Sequence, residues 1–183
     1  TLAYPVQHIS SNLRFKKEVP MAKTSDLQRY LNNNGVPYRI IEHDPAFSAH
    51  GVSVATHVPE KEIAKTIIIQ IDGKFWMAVL RGDYKINLHL IKQAFGARQV
   101  HLAHEEDLNT LFPDCQLGTM PPFGNLYGVP VLIDQALADD EDIFFNACCY
   151  TKVIKMKFED FRKLSNPLVG HYAEPPFIRE ETW

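Results

Sequence analysis

Residues 64–80 read AKTIIIQIDGKFWMAVL. The run 66–71 is β-branched and almost wholly apolar, which predicts a strand buried on both faces. Asp72-Gly73 is a strong two-residue hairpin signal, and 75–80 is the returning strand. An antiparallel return brings the Lys65 end of the first strand close to Gly82-Asp83 at the end of the second. A lysine at the mouth of such a strand is held by rigid structure, which suits an anion or carbonyl ligand. The bland alternative is an ammonium reaching into water. Asp83 is read either as an acidic turn residue or as a carboxylate in the same cleft as Lys65.

Outward from the hairpin, helices and strands interleave. Helical patterns are expected over 52–57, 87–95, 105–112 and 158–164, and behind a cap at Thr24 or Ser25 in a helix carrying Leu27, Tyr30 and Leu31, with Asn34-Gly35 and Gly96 as stop signals. Strands are expected over 38–42, 100–103, 129–133, 143–147 and 153–156. The pattern predicts an α+β fold: a mixed, mostly antiparallel sheet surrounded by helices. Regular patterning begins near Met21. Residues 1–20 are therefore set apart as an arm, tag or upstream remnant, 21–168 as the domain, and 169–183 as an extended C-terminal tail.

The chain has 183 residues, 45% hydrophobic and 22% charged, with a formal net charge of −3. That length supports one domain with a real core, and 11% aromatic residues argue against disorder as the main state. No apolar run approaches a membrane span, so no membrane partner is expected. Cys115, Cys148 and Cys149 form no metal-ligand pattern and no disulfide framework, and are read as small apolar residues of a reduced, cytoplasmic protein. Neither metal nor cofactor is expected. The net charge conceals uneven segments. Residues 61–98 hold seven Lys and Arg against three acids, 99–146 hold nine acids and no Lys or Arg, and 152–163 hold five basic residues against two acids. That balance excludes a strongly basic, backbone-gripping DNA binder, but not weak contact with the end of an RNA.

Residues 112–128, FPDCQLGTMPPFGNLYG, are the least ordinary segment. Glycines at 118 and 124 bracket prolines at 121 and 122. The loop is stiff where proline fixes φ and open where glycine lets backbone approach a ligand, so its N–H groups suit a carbonyl or phosphate oxygen. The alternative is a rigid connection. Asp134, at the end of the strand that follows, is read as a helix cap.

Taken with Ala64-Lys65-Thr66, Gly82-Asp83, Val131–Asp134, Phe145–Ala147 and Met156–Phe161, this loop resembles the YbaK/EbsC family of aminoacyl-tRNA editing domains. These are related to the insertion domain of bacterial prolyl-tRNA synthetases. The resemblance spans 21–168, and 118–128 is its most specific part. It implies metal-free hydrolysis, in trans, of the ester joining a wrong amino acid to the 3′ end of a tRNA, with transient contact with an aminoacyl-tRNA synthetase. It matches the family lysine to Lys65 and the GxxxP loop to Gly118–Pro122. Lys65 and Gly118 are thus the expected catalytic positions. Asp83, Thr119, Met120, Pro121, Pro122, Phe123, Gly124, Asp134 and Tyr150 are expected around the substrate. Members of this branch carry Gly-Ser/Thr-His where this chain has Cys148-Cys149-Tyr150, and a phenol does not take over an imidazole's acid–base role near neutral pH. A binding module of the same fold without turnover is the alternative function.

Overall fold

The computed structural model describes residues 24–176; the expected arm at 1–20 and the end of the expected tail lie outside them. Strand β2 (Ala64–Ile71) pairs antiparallel with β3 (Lys74–Arg81) over their full length, from Ala64 opposite Arg81 to Ile71 opposite Lys74. Asp72 and Gly73 both take positive φ, 49° and 81°, the conformation a two-residue hairpin turn requires. The Asp72 carboxylate then accepts the N–H groups of Arg98 (2.9 Å) and Gln99 (2.8 Å). This ties the hairpin tip to the segment entering β5 (Val100–Leu102), which pairs antiparallel with β2.

On the other side of the hairpin, β6 (Val131–Asp134) runs parallel to β3, and β9 (Leu168–Gly170) runs parallel to β6. The resulting five-stranded sheet has the order β5-β2-β3-β6-β9. An antiparallel three-stranded sheet is built from β1 (Tyr38–Glu42), β8 (Lys152–Lys157) and β7 (Asp142–Asn146), in that order. A short third sheet pairs β4 (Lys85–Ile86) with β10 (Ala173–Glu174). Helices flank these sheets, so the fold is the expected α+β arrangement with mostly antiparallel pairing.

The period-2 alternation of β2 and β3 divides their side chains between two cores. Ile68, Met77 and Val79 join Phe145, Ile154 and Met156 of the second sheet, together with Leu27 and Leu31 of α1 (Thr24–Asn33). Phe123 sits inside this core, edge-on to Tyr30, Phe145 and Phe161 at 5.9, 5.6 and 5.4 Å between centroids. Ile69, Ile71, Ala78 and Leu80 face the other way, against Ile91 of α3 (Leu88–Phe95) and Tyr172. Strand β2 is therefore buried on both faces in its second half, where only Gln70 is partly exposed. Lys65, Thr66 and Ile67 are only partly buried, because this end of the strand borders a cavity.

Residues 168–170 form β9 and 173–174 form β10, so the first part of the expected extended tail is paired with the sheets. The cause is Asp134, which is 2% exposed. One carboxylate oxygen caps α5 (Gln135–Ala138) through the Ala136 N–H at 3.0 Å. The other accepts the N–H groups of Tyr172 (2.7 Å) and Ala173 (3.0 Å). A buried carboxylate holding three backbone donors across the sheet is a strong local tie. We expect Asp134→Ala to lower the unfolding free energy in urea by about 3 kcal/mol, through the lost cap and two orphaned N–H groups. Protease cleavage beyond residue 166 should rise in the same variant.

Candidate functional site

A cavity of about 340 Å³ opens beside the Lys65 end of the hairpin, and four stretches of chain converge on it. The first is β2 itself with Gly82. Lys65 donates from Nζ to the Gly82 carbonyl at 3.0 Å. Gly82 is needed for close approach: a Cβ there would stand 2.5 Å from the Glu60 carbonyl oxygen. Burial lowers the pKa of the Lys65 ammonium below the ordinary lysine range. The charges of Glu60 and Asp83 oppose that shift, and Lys85 adds to it.

The second stretch is Gly118 and Thr119. Gly118 takes φ of 82°, a conformation glycine enters without strain. Thr119 is 1% exposed and donates both its N–H (3.0 Å) and its hydroxyl (2.7 Å) to the Gln116 carbonyl.

The third stretch follows β7. Cys148 donates its N–H to the Thr119 carbonyl at 3.0 Å and accepts the Gln116 N–H at 3.1 Å. Tyr150 donates its N–H to Gln116 Oε1 at 2.7 Å and its hydroxyl to the Leu117 carbonyl at 2.8 Å. The two loops are thus laced together residue by residue. Cys115 and Cys148 complete the lacing as a disulfide, 33 residues apart in sequence. This corrects the reading of both as unbonded small apolar residues, and only Cys149 is free among the described residues. Their pairing follows from the backbone exchange between 116–119 and 148, which no local pattern in the sequence displays. Asn146, at the end of β7, also lines the cavity, and its Oδ1 is buried without a hydrogen-bond partner.

The fourth stretch is the entry into α2 (Ala49–Thr56). Ser48 caps this helix by accepting the Gly51 N–H at 3.0 Å. Phe47 stands at the cavity mouth, and His50 faces Glu60 on the rim at 3.1 Å.

Of the residues singled out from the sequence, Lys65, Gly118, Thr119 and Tyr150 meet around this one cavity. The others lie elsewhere. Asp83 is held by Arg81 through two bonds of 3.0 and 2.7 Å, and that hydrogen bond raises the Arg81 pKa. Met120, Pro121, Pro122, Phe123 and Gly124 are buried and do not line the cavity. At Gly124 a Cβ would collide with the Val129 carbonyl oxygen, so this glycine serves packing. Asp134 serves the cap and the C-terminal strands. Phe47, Ser48, His50, Glu60 and Asn146 were not singled out. Of these, only Ser48 carries a local signal, as the residue before a helical pattern.

The basic segment at 152–163 is largely neutralised by neighbouring acids. Lys155 pairs with Asp142 at 2.8 Å, Lys157 with Glu141 at 2.6 Å and with Asp142 at 3.1 Å, and Lys152 with Glu42 at 3.4 Å. Among the described residues no helix is long and apolar enough to cross a membrane, and no three His, Cys, Asp or Glu side chains converge as a metal site.

The chain belongs to the aminoacyl-tRNA editing domain family, whose model matches residues 43–164. It is 29% identical over 129 residues to a proline–tRNA ligase of Bacillus cytotoxicus, covering 70% of this chain and 22% of that protein. A proline–tRNA ligase of Halalkalibacterium halodurans is 26% identical over 141 residues, covering 77% of this chain and 24% of that protein. The chain thus spans about a quarter or less of these curated relatives. Among solved structures, one described as a candidate trans-editing enzyme for prolyl-tRNA synthetase superposes with a TM-score of 0.73 at 16% identity, over 82% of this chain and 96% of that one. A candidate signal transduction protein from Marinobacter aquaeolei shares the fold at a TM-score of 0.64 and 17% identity, over 80% of this chain but only 30% of that one.

The energetics of Lys65 are testable without substrate. In the folded state its ammonium is partly desolvated, so the folded pKa lies below the unfolded one and stability rises with pH between the two. We expect Lys65→Met to be more stable than the wild type at pH 7 by up to about 1 kcal/mol in urea unfolding, the remaining exposure of the amine limiting the gain. That advantage should shrink as pH climbs through the lowered pKa, because the wild-type amine then becomes neutral in the folded chain.

Proposed function

We propose that this chain is an aminoacyl-tRNA deacylase acting in trans on mischarged tRNA, with its 3′ aminoacyl end as the bound ligand. The observation that carries this reading is the convergence of Lys65 with Gly118 and Thr119 on one cavity in a chain of the editing-domain family. Ester hydrolysis develops negative charge on the carbonyl oxygen as the tetrahedral intermediate forms. A fixed cation suits that charge, more so where water is thinned. The Asn146 amide is a further polar group on the cavity wall.

Water is the attacking nucleophile in this reading. Water adds to the ester carbonyl carbon, and its proton is relayed through the neighbouring ribose hydroxyl to the departing ester oxygen as the acyl C–O bond breaks. Free amino acid and the ribose diol are released, which accounts for a site that needs no strong protein base. The reading uses neither metal nor cofactor. A location in the cytoplasm and transient contact with an aminoacyl-tRNA synthetase belong to the same proposal, supported by the likeness to domains of proline–tRNA ligases.

One observation favours binding without turnover as a second reading. Tyr150 stands where the resemblance puts the family histidine, and its hydroxyl is already given to the Leu117 carbonyl. A panel of tRNAs charged with Ala, Cys, Ser and Pro separates the two readings. Deacylation of at least one of them, with Lys65→Ala lowering kcat/KM by about 100-fold or more, is the expected outcome. Binding of charged tRNA with no accelerated hydrolysis of any of the four would select the second reading.

A further inference from the structure

We propose that Phe47, braced by Tyr150, is a stacking platform for the 3′-terminal adenine of the bound RNA. The inference rests on the editing reading and adds a base-binding subsite to it.

Phe47 is 77% exposed, an unusual state for a phenylalanine bordering a cavity. A single exposed apolar side chain is ordinary on a protein surface. This one differs in being held. Its ring lies 4.7 Å from the Tyr150 ring, centroid to centroid, at 59°. Tyr150 is in turn fixed by its hydroxyl on Leu117 and its N–H on Gln116, and its carbonyl accepts the Ala46 N–H at 3.0 Å. On the far side of Phe47, Ser48 starts α2 with a capping bond. The aromatic ring is therefore presented to solvent from a segment tied down on both sides. A site that waits for a ligand needs that preorganisation.

The layout of the cavity says which part of the substrate reaches Phe47. Ile63, Ala64 and Thr119 are 2%, 4% and 1% exposed and form its closed side. The ester lies by Lys65 and Gly118, so the amino acid is directed inward and the nucleoside outward, past the mouth where Phe47 stands. The only Lys or Arg among the lining residues is Lys65, and Glu60 on the rim repels phosphate. The mouth is thus poorly suited to grip the RNA backbone. A flat uncharged base is what an exposed aromatic face binds well, and stacking needs no counter-charge. The tilt between the two rings leaves Phe47 as the contacting face and Tyr150 as its support.

The test uses the full chain and an acceptor-stem hairpin ending in single-stranded CCA. Its terminal adenine is replaced by 2-aminopurine, and its 3′ position carries an alanyl group through a non-hydrolysable amide. Stacking quenches 2-aminopurine, so binding to the wild type should quench it several-fold. Phe47→Ala should bind about tenfold more weakly and lose most of the quenching. Phe47→Trp should keep both. Phe47 is exposed, so these substitutions leave the core untouched, and thermal melts check this. If the hairpin binds the wild type without quenching, or if Phe47→Ala matches the wild type in affinity and quenching, the platform is refuted while the editing reading stands. A Phe47→Ala variant whose preference among charged tRNAs changes while quenching persists also refutes it, by assigning Phe47 to the amino acid. If the wild type binds no hairpin and deacylates no charged tRNA, both proposals fall together.

Discussion

The register between β2 and β3 is the constraint on which the rest of the molecule depends. The pairing of Ile71 with Lys74 across a two-residue turn sends Ile68, Met77 and Val79 into one core and Ile69, Ala78 and Leu80 into the other. A slip of one residue would exchange the two sets and leave both cores mismatched. The same register sets Lys65 opposite Leu80, from where its ammonium reaches the Gly82 carbonyl. Both flanking strands, β5 and β6, build on this hairpin, and the cavity opens where it ends.

The site that results is assembled from parts with conflicting demands. Lys65 gains one hydrogen bond and loses part of its hydration, so its charge costs stability where a methionine would not. The interlocked loops 115–119 and 146–150 answer a different need. They carry positive φ at Gly118 and Cys148 and no regular secondary structure across 115–119, yet backbone and side-chain bonds between them fix their geometry. Rigid walls around a partly desolvated cation are what electrostatic stabilisation of a developing oxyanion requires.

How far the sequence discloses this depends on range. The β2–β3 hairpin was legible because β-branched runs and Asp72-Gly73 act over neighbouring residues. Lys65 and Gly118 stood out for the same reason, each being an odd residue in a strongly patterned context. The segment 118–124 misleads when taken as one unit, because only Gly118 and Thr119 reach the cavity while Phe123 is drawn into the aromatic core. Asp134 and the Cys115–Cys148 link depend on partners 38 and 33 residues away, and no local pattern announces them. Phe47 and Asn146 owe their place to the meeting of α2, β7 and the glycine loop, which exists only after folding.

The Asp134 tie bears on how such a unit can be moved between polypeptides. The family match stops at residue 164, yet four further residues bring the chain to β9, and β10 then covers Ile86. A gene fusion or excision cut at the family boundary would leave a buried carboxylate without two of its donors and strip an edge strand from the main sheet. The portable module is therefore longer than the recognisable one. Its last strands are the piece most easily lost when the domain is transplanted, even though they stand apart from the chemistry.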